Sequence, residues 1–168
     1  MSTITTEIRR ADPEDAQGIA DVHDAAWQNT YAGMVPHMAL LKMIKRRGSS
    51  WWRNAIVKAT VILVVEIDGE IAGYATLGNN RVSTLPFDGE IYEIYMRPEY
   101  QGLGLGSRLF LAARSELVRR GLSGATVWVL AENDSAISFY ENAGGRAVAK
   151  GSETFDGKAL VKIAYAWD

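Results

Sequence analysis

The sequence predicts a mixed α/β domain: a central mixed sheet of six to seven strands with helices on both faces. Three features lead there. The apolar, β-branched run Val61 to Ile67 precedes Asp68-Gly69, a pair that suits a two-residue type I′ turn, and a final hairpin centres on Asp156-Gly157, so antiparallel pairing follows. A helical stretch separates the strand ending at Met96 from the one beginning at Ala125, and such a crossover joins parallel neighbours. The element order reads β-α-α-β-β-β-α-β-α-β-β, without repeats or low-complexity linkers.

Thr5 to Arg10 reads as a short first strand. Asp12 is a helix cap with Pro13 at the first helical position, and Ile19, Val22, Ala26 and Thr30 near helical spacing carry that helix to about Asn29. Gly33 and Pro36 interrupt it. A second helix covers His37 to Arg47, and Trp51-Trp52 opens a third short piece. Val61 to Ile67 is a buried strand, and Glu70 to Leu77 returns as its hairpin partner, ended by Gly78-Asn79-Asn80. Glu90 to Met96 is the next strand, stopped by Pro98. From Gly104 to about Arg120, Leu109, Phe110, Ala113 and Leu117 form one apolar stripe, with Gly121 just past the end. Ala125 to Leu130 is a strand, and Asn133 caps a helix through about Asn142. Gly144-Gly145 turns into a strand near Arg146 to Lys150, and the last hairpin leads into Ala159 to Trp167.

A chain of 168 residues with 48% apolar and 23% charged residues is expected to form a single domain spanning 1–168. A formal charge of −2 gives no footprint for nucleic acid, and the scattered basic groups Arg9-Arg10, Lys45-Arg46-Arg47 and Arg119-Arg120 read as solvated faces. Without cysteine there is no disulfide, no thiolate nucleophile and no zinc site built on sulfur. His23 and His37 have no carboxylate or histidine partner at metal spacing, so no metal is expected. The N-terminal MSTITTEIRR has no apolar stretch of signal-peptide length, and no run approaches a membrane span. A cytoplasmic protein with no nucleic-acid or membrane partner is the expectation.

The segment richest in function is Tyr100 to Ser107, YQGLGLGS, lying between the apolar run Ile91 to Met96 and the helix that follows. The first amides of a helix have no internal partner, the dipole favours negative charge there, and glycines let backbone N–H groups close on phosphate oxygens. A P-loop needs Gly-Lys-Ser/Thr, but Gly106-Ser107-Arg108 supplies no lysine. A dinucleotide fold places its glycines after an early strand of a repeated βαβ pattern with an acid about twenty residues on, and neither condition is met.

Gln101-Gly102-Leu103-Gly104-Leu105-Gly106 matches the pattern Arg/Gln-x-x-Gly-x-Gly/Ala, and with it the chain resembles the GNAT superfamily of N-acetyltransferases. The strand Glu90 to Met96 before Arg97-Pro98-Glu99-Tyr100 looks like that family's fourth strand, and Asn133 followed by Phe139-Tyr140-Glu141 resembles its next helix. Trp27, Tyr31, Gly33 and Pro36 look like the substrate-side helices of one bacterial subgroup. The similarity spans nearly the whole chain and implies splayed central parallel strands with acetyl-CoA as co-substrate.

Acetyl transfer from a thioester to an amine needs phosphate anchoring, a donor for the oxyanion, a route for the amine's proton and an acid for the thiolate. The resemblance implies that Gln101, Gly102, Leu103, Gly104, Leu105, Gly106 and Ser107 anchor the phosphates. Ile94, Tyr95 and Met96 would lie along pantetheine, with a freed amide near Tyr95 or Met96 holding the thioester carbonyl; the same residues also read as plain core strand. Tyr140 is the implied acid, almost two helical turns and roughly 10 Å beyond Asn133. The alternative is a tyrosine packed at a helix edge. Asn133 would bond the pantetheine arm, a role compatible with an N-cap.

For the base, Glu90 and Glu93 share one strand, and three residues apart on a period-two element they point to opposite faces unless a bulge intervenes. Glu90 is preferred because some family members place a catalytic glutamate there; either residue could instead be a salt-bridge partner, with water as the proton route. Other members carry a glutamate on the next strand, where this chain has Trp128. Leu103 stands where many relatives are basic, and Gly144-Gly145 replaces the usual Gly-Phe. Trp27, Tyr31 and Trp128 either wall an acceptor pocket or pack in the core. The acceptor is expected to be a primary amine, and the aromatic, not strongly acidic substrate-side segment slightly disfavours highly cationic ones. Family habit implies a homodimer. The rival is a non-catalytic acyl-CoA-binding module, against which Tyr140 discriminates.

Overall fold

The computed structural model describes residues 4–58 and 60–168, so Met1, Ser2 and Thr3 of the N-terminal stretch lie outside the described residues. Strand β1 (Thr6–Arg10) leads through a 3₁₀ turn (Pro13–Asp15) to helices α1 (Ala16–Tyr31), α2 (His37–Arg46) and α3 (Ser49–Val57). Strands β2 (Val61–Ile67), β3 (Glu70–Asn79) and β4 (Gly89–Met96) come next. After a second 3₁₀ turn (Pro98–Tyr100) follow α4 (Leu105–Arg119), β5 (Ala125–Leu130), α5 (Asp134–Asn142), β6 (Arg146–Phe155) and β7 (Lys158–Trp167).

Asp12 caps the first 3₁₀ turn through a reciprocal bond with Asp15, and α1 continues directly from it to Tyr31, slightly past the expected end. Asp68 and Asp156 both adopt positive φ (47° and 46°) ahead of Gly69 and Gly157, the backbone of a type I′ turn at each hairpin. β6 runs to Phe155 rather than Lys150. Its polar second half, Ser152-Glu153-Thr154, pairs with Val161, Leu160 and Ala159 on an outer strand with mostly exposed side chains, where apolar periodicity is not required.

The sheet order is β1-β2-β3-β4-β5-β7-β6, so β7 inserts between β5 and β6. β2 alternates across the sheet. Ile62 and Val64 pack with Tyr74 under Ile19 and Val22 of α1 and Trp52 of α3. Leu63 and Val65 pack with Ala75, Leu77 and Ile91 under Leu109, Phe110, Ala113 and Leu117 of α4. Burial on both faces explains the unbroken apolar run. Among the described residues no helix is long and apolar enough to cross a membrane.

Two irregularities shape the middle of the sheet. β4 pairs with β5 in parallel only at Gly89–Ala125 and Glu90–Thr126, and the two strands then part. Against β3, Thr76 pairs with Glu93 while the adjacent Leu77 pairs with Ile91, so Tyr92 is an extra residue in a β-bulge.

Gly144-Gly145 has a packing explanation. A Cβ on Gly145 would lie 2.6 Å from the Trp167 indole and 2.9 Å from the Tyr140 carbonyl. Trp167 fills the space an aromatic after Gly144 would take, with its ring 4.8 Å from Phe110 and 5.9 Å from Tyr140, and its N–H donates to the Ala143 carbonyl at 3.0 Å. Gly145→Phe is therefore expected to destabilise the protein by about 3 kcal/mol, as overpacking does. Trp167→Ala in the same chain should recover part of that loss, measured by urea unfolding.

His23 of α1 is fully buried against Trp27 and Trp52 (centroids 4.4 and 5.8 Å). Burial, and secondarily the Arg47 charge, push its pKa down to about 3. The unfolded chain therefore takes up this proton near the ordinary pKa of about 6.5, while the folded one does not. Stability from His23 is complete above pH about 6.5 and is lost as pH falls toward 3, with a slope approaching one proton. Unfolding free energy followed from pH 7 to 4 should decline less steeply in His23→Phe than in the parent.

Candidate active site

Where β4 leaves β5, a cleft of about 710 Å³ opens. Its walls come from Tyr92 to Met96 of β4, Val127 to Val129 of β5, the turn before α4, the start of α5 and the end of α1. Gly102, Gly104, Gly106, Gln101 and Ser107 all line it. Gly104 is the N-cap of α4 in the left-handed region (φ 78°), a conformation a side chain would strain. The first helical bond of α4 runs from Arg108 N to Gly104 O, so the amides of Leu105, Gly106 and Ser107 precede any internal partner and form an anion-binding end. Leu103 and Leu105 contribute backbone only. Leu103 is 66% exposed and off the cleft wall, and the Leu105 side chain packs into the core beside Leu109.

On β4, the Arg97 amide donates to Ala72 O of the chain preceding it on the β3 side. Backbone groups alternate sides along an antiparallel pair, so the amides of Met96 and Ile94 face the gap and that of Tyr95 faces β3. Of the two amides named from the sequence, that of Met96 is the one turned to the gap. The Tyr95 side chain instead lies on the α1 face, where its hydroxyl hydrogen-bonds that of Tyr31.

Asn133 caps α5, its Oδ1 accepting from the Ala136 amide at 3.2 Å, which leaves Nδ2 for a ligand at the cleft wall. Tyr140 lies further along α5, buried yet bordering the cleft. Burial first, and Tyr31 second, raise its phenol well above the ordinary range, so it stays protonated through neutral pH. Burial likewise pushes Tyr31 up to about 12.

The glutamates do not lie as expected. Because Tyr92 is bulged, Glu90 and Glu93 oppose Gly78 and Thr76 and share the α1 face rather than taking opposite ones. Glu90 is 1% exposed at the closed end where β4 and β5 still pair, and is not on the cleft wall. Its carboxylate accepts from Arg81 three times, from the backbone N at 3.0 Å, Nε at 3.2 Å and an Nη at 2.7 Å. The pairing holds the carboxylate on Arg81, away from the cleft. Glu93 does line the cleft, paired with Arg47 and accepting from the Tyr74 hydroxyl at 2.9 Å.

Of the aromatic residues, Tyr31 and Trp128 line the cleft, and Trp128 also carries the Lys162 ammonium 4.8 Å from its ring. Trp27 does not; it is buried behind Tyr31 and Tyr95, with ring centroids 5.3 and 5.9 Å away. Sequence reasoning missed Asn29, Thr30, Met34 and Phe139 on the wall, and the carboxylates of Glu132 and Asp134; with Glu93 these are the charged side chains lining the cleft among the described residues, all acidic. The acidic character comes from β4 and from the residues flanking the Asn133 cap, not from the substrate-side helices. Arg47 was also missed: it ends a basic run but its guanidinium lies over Trp51 at 4.5 Å. Among the described residues no group of three His, Cys, Asp or Glu is placed to hold a metal.

The comparisons agree with this geometry. The acetyltransferase (GNAT) family model matches residues 20–144. The uncharacterized N-acetyltransferase YuaI of Bacillus subtilis is 30% identical over 160 residues, which is 95% of this chain and 91% of that protein. The spermidine N(1)-acetyltransferase of Thermoplasma acidophilum is 25% identical over 138 residues, 82% and 86% of the two chains. The crystal structure of PaiA N-acetyltransferase from Thermoplasma acidophilum in complex with coenzyme A has the same fold, with a TM-score of 0.75 at 21% identity over 97% and 99% of the chains. The chain belongs to the GNAT family of acetyltransferases, enzymes that depend on acetyl-CoA.

Glu90→Gln is expected to cost stability, about 1–3 kcal/mol for weakening a buried polar network, while leaving acetyl transfer within about threefold of the parent. Thermal unfolding and initial rates on the same preparations check both halves.

Proposed function

We propose that the protein transfers an acetyl group from acetyl-CoA to a primary amine by direct attack in a ternary complex. The observation that carries this reading is the parting of β4 from β5 beside the unpartnered amides at the start of α4, with Tyr140 on the same cleft wall. The complex of the similar PaiA fold with coenzyme A supports the same ligand here.

Acetyl-CoA supplies a thioester that an amine can attack. The amides of Leu105, Gly106 and Ser107 bind pyrophosphate, and the Ile94 and Met96 amides hold the pantetheine and polarise the acetyl carbonyl. Asn133 Nδ2 orients the pantetheine arm. Tyr140, kept protonated, gives its proton to the departing sulfur. The exposed acids Glu132 and Asp134 on the wall favour an acceptor that arrives as a cation, and the spermidine-acetylating relative is consistent with that. A small metabolite, an antibiotic, a polyamine and a peptide N-terminus all present such a group.

Thiol release from acetyl-CoA, followed with a disulfide reagent across amines, peptides and aminoglycosides, tests the reading; a chain without cysteine contributes no background. Amine-dependent release is the expected result. Tyr140→Phe should lower kcat by about a hundredfold with little change in acetyl-CoA affinity. Tight acetyl-CoA binding without release to any acceptor would instead indicate a binding module.

A further inference from the structure

Of the three carboxylates on the cleft wall Glu93 is the least exposed, and the groups holding it come from outside that cleft. Tyr74 reaches it from β3, and Arg47 reaches it from the residue that caps the C-terminus of α2. The guanidinium is fixed in turn by aromatic faces, 4.5 Å over Trp51 and within 6 Å of Trp27 (5.7 Å) and Trp52 (5.8 Å). An arginine that is stacked and paired at once is anchored in place. Its field is also felt behind the site, where it is the second cause, after burial, of the neutral state of His23.

Such an arrangement answers a problem of the proposed reaction. A carboxylate alone beside the acceptor nitrogen attracts an ammonium, which has no lone pair with which to attack. We infer that Arg47 is a positioning residue that balances the charge of Glu93, so that the acceptor nitrogen binds beside that carboxylate as the free amine instead of a trapped ammonium. The rim acids Glu132 and Asp134 attract the cation, and the inner Arg47–Glu93 pair lets it shed its proton.

The step balances. The ammonium releases one proton to solvent, its lone pair forms the C–N bond as the C–S bond breaks, Tyr140 protonates the sulfur, and a second N–H proton restores Tyr140. This inference rests on the transfer reading above.

The other titratable groups around Glu93 are Arg81 with its partner Glu90, Tyr74 from β3, Tyr31 and His23 from α1, Tyr95 on its own strand and Tyr140 from α5, with Glu153 of β6 acting on Tyr31. Burial holds all four phenols above the ordinary range and His23 far below it. A rise of kcat with pH above neutrality therefore reports the bound amine.

The test is the pH profile of kcat, with acceptor KM and acetyl-CoA Kd, for the parent, Arg47→Met, Arg47→Lys and Glu93→Gln, using an amine the parent acetylates. In Arg47→Met the rising limb should move up by about one pH unit, so that kcat at neutral pH falls about tenfold. Acceptor KM should not rise, and acetyl-CoA Kd should stay within about twofold. Arg47→Lys should bring the limb back, and Glu93→Gln, which leaves Arg47 unopposed, should move it the other way.

A limb that stays in place in both Arg47→Met and Glu93→Gln overturns the inference and leaves Arg47 a packing residue, whatever happens to the rate. A raised KM with an unmoved limb does the same. If the parent binds acetyl-CoA but releases thiol to no amine, the transfer reading itself fails and the inference falls with it, a result separable from an unmoved limb in an active enzyme.

Discussion

The structure turns on two parallel strands that pair for two residues and then separate. A sheet interior normally satisfies every backbone N–H and C=O across the ladder. Here β4 keeps its bonds to β3 along its length but lacks a partner beyond Glu90, and the backbone groups freed on that side require another ligand. The adjoining start of α4 has the same deficit, with amides ahead of the Arg108–Gly104 bond. Two sets of unpartnered donors thus converge on one cleft, one suited to an extended amide-rich arm and the other to phosphate. The remaining parts of the site border this gap: Asn133 and Tyr140 on α5, Tyr31 at the end of α1, and Glu93 on the parting strand.

The bulge at Tyr92 is the second organising feature. It adds one residue to β4 and so changes the face of everything beyond it. Glu93 and Tyr95 consequently lie on the α1 side, where Tyr74, Arg47 and Tyr31 reach them. Ile94 and Met96 pack on the α4 side and turn their amides to the gap. One extra residue therefore separates the two surfaces of the strand, with the Glu93 and Tyr95 side chains on one face and the gap-facing Ile94 and Met96 amides along the edge.

Much of the fold was legible because its signals are local. Val61–Ile67 and Ala125–Leu130 have the bounds their apolar runs suggest, and both Asp-Gly pairs make the turns their chemistry favours. The glycine turn before α4 and the Asn133 cap were readable for the same reason. What was not legible depends on contacts distant in sequence. No local pattern marks Tyr92 as bulged, so whether Glu90 and Glu93 share a face could not be read from their spacing. Trp27 resembles a pocket wall in composition, yet Tyr31 and Tyr95 stand in front of it. Arg47 looks like the end of a solvated basic run until α3 folds back and places Trp51 beneath it. The insertion of β7 between β5 and β6 also leaves no trace in the order of the elements.

That insertion sets an order of assembly. β6 precedes β7 in the chain but can reach the sheet only through it, so β6 has no place until β7 has paired with β5. Trp167 sits at the far end of that hairpin, and it is the ring against which Tyr140 and the Gly144-Gly145 turn are packed. A chain emerging from N- to C-terminus can thus form β1 to β5 and display the glycine turn well before α5 is held in position. The glycine turn can form early, and Tyr140 is held in position late.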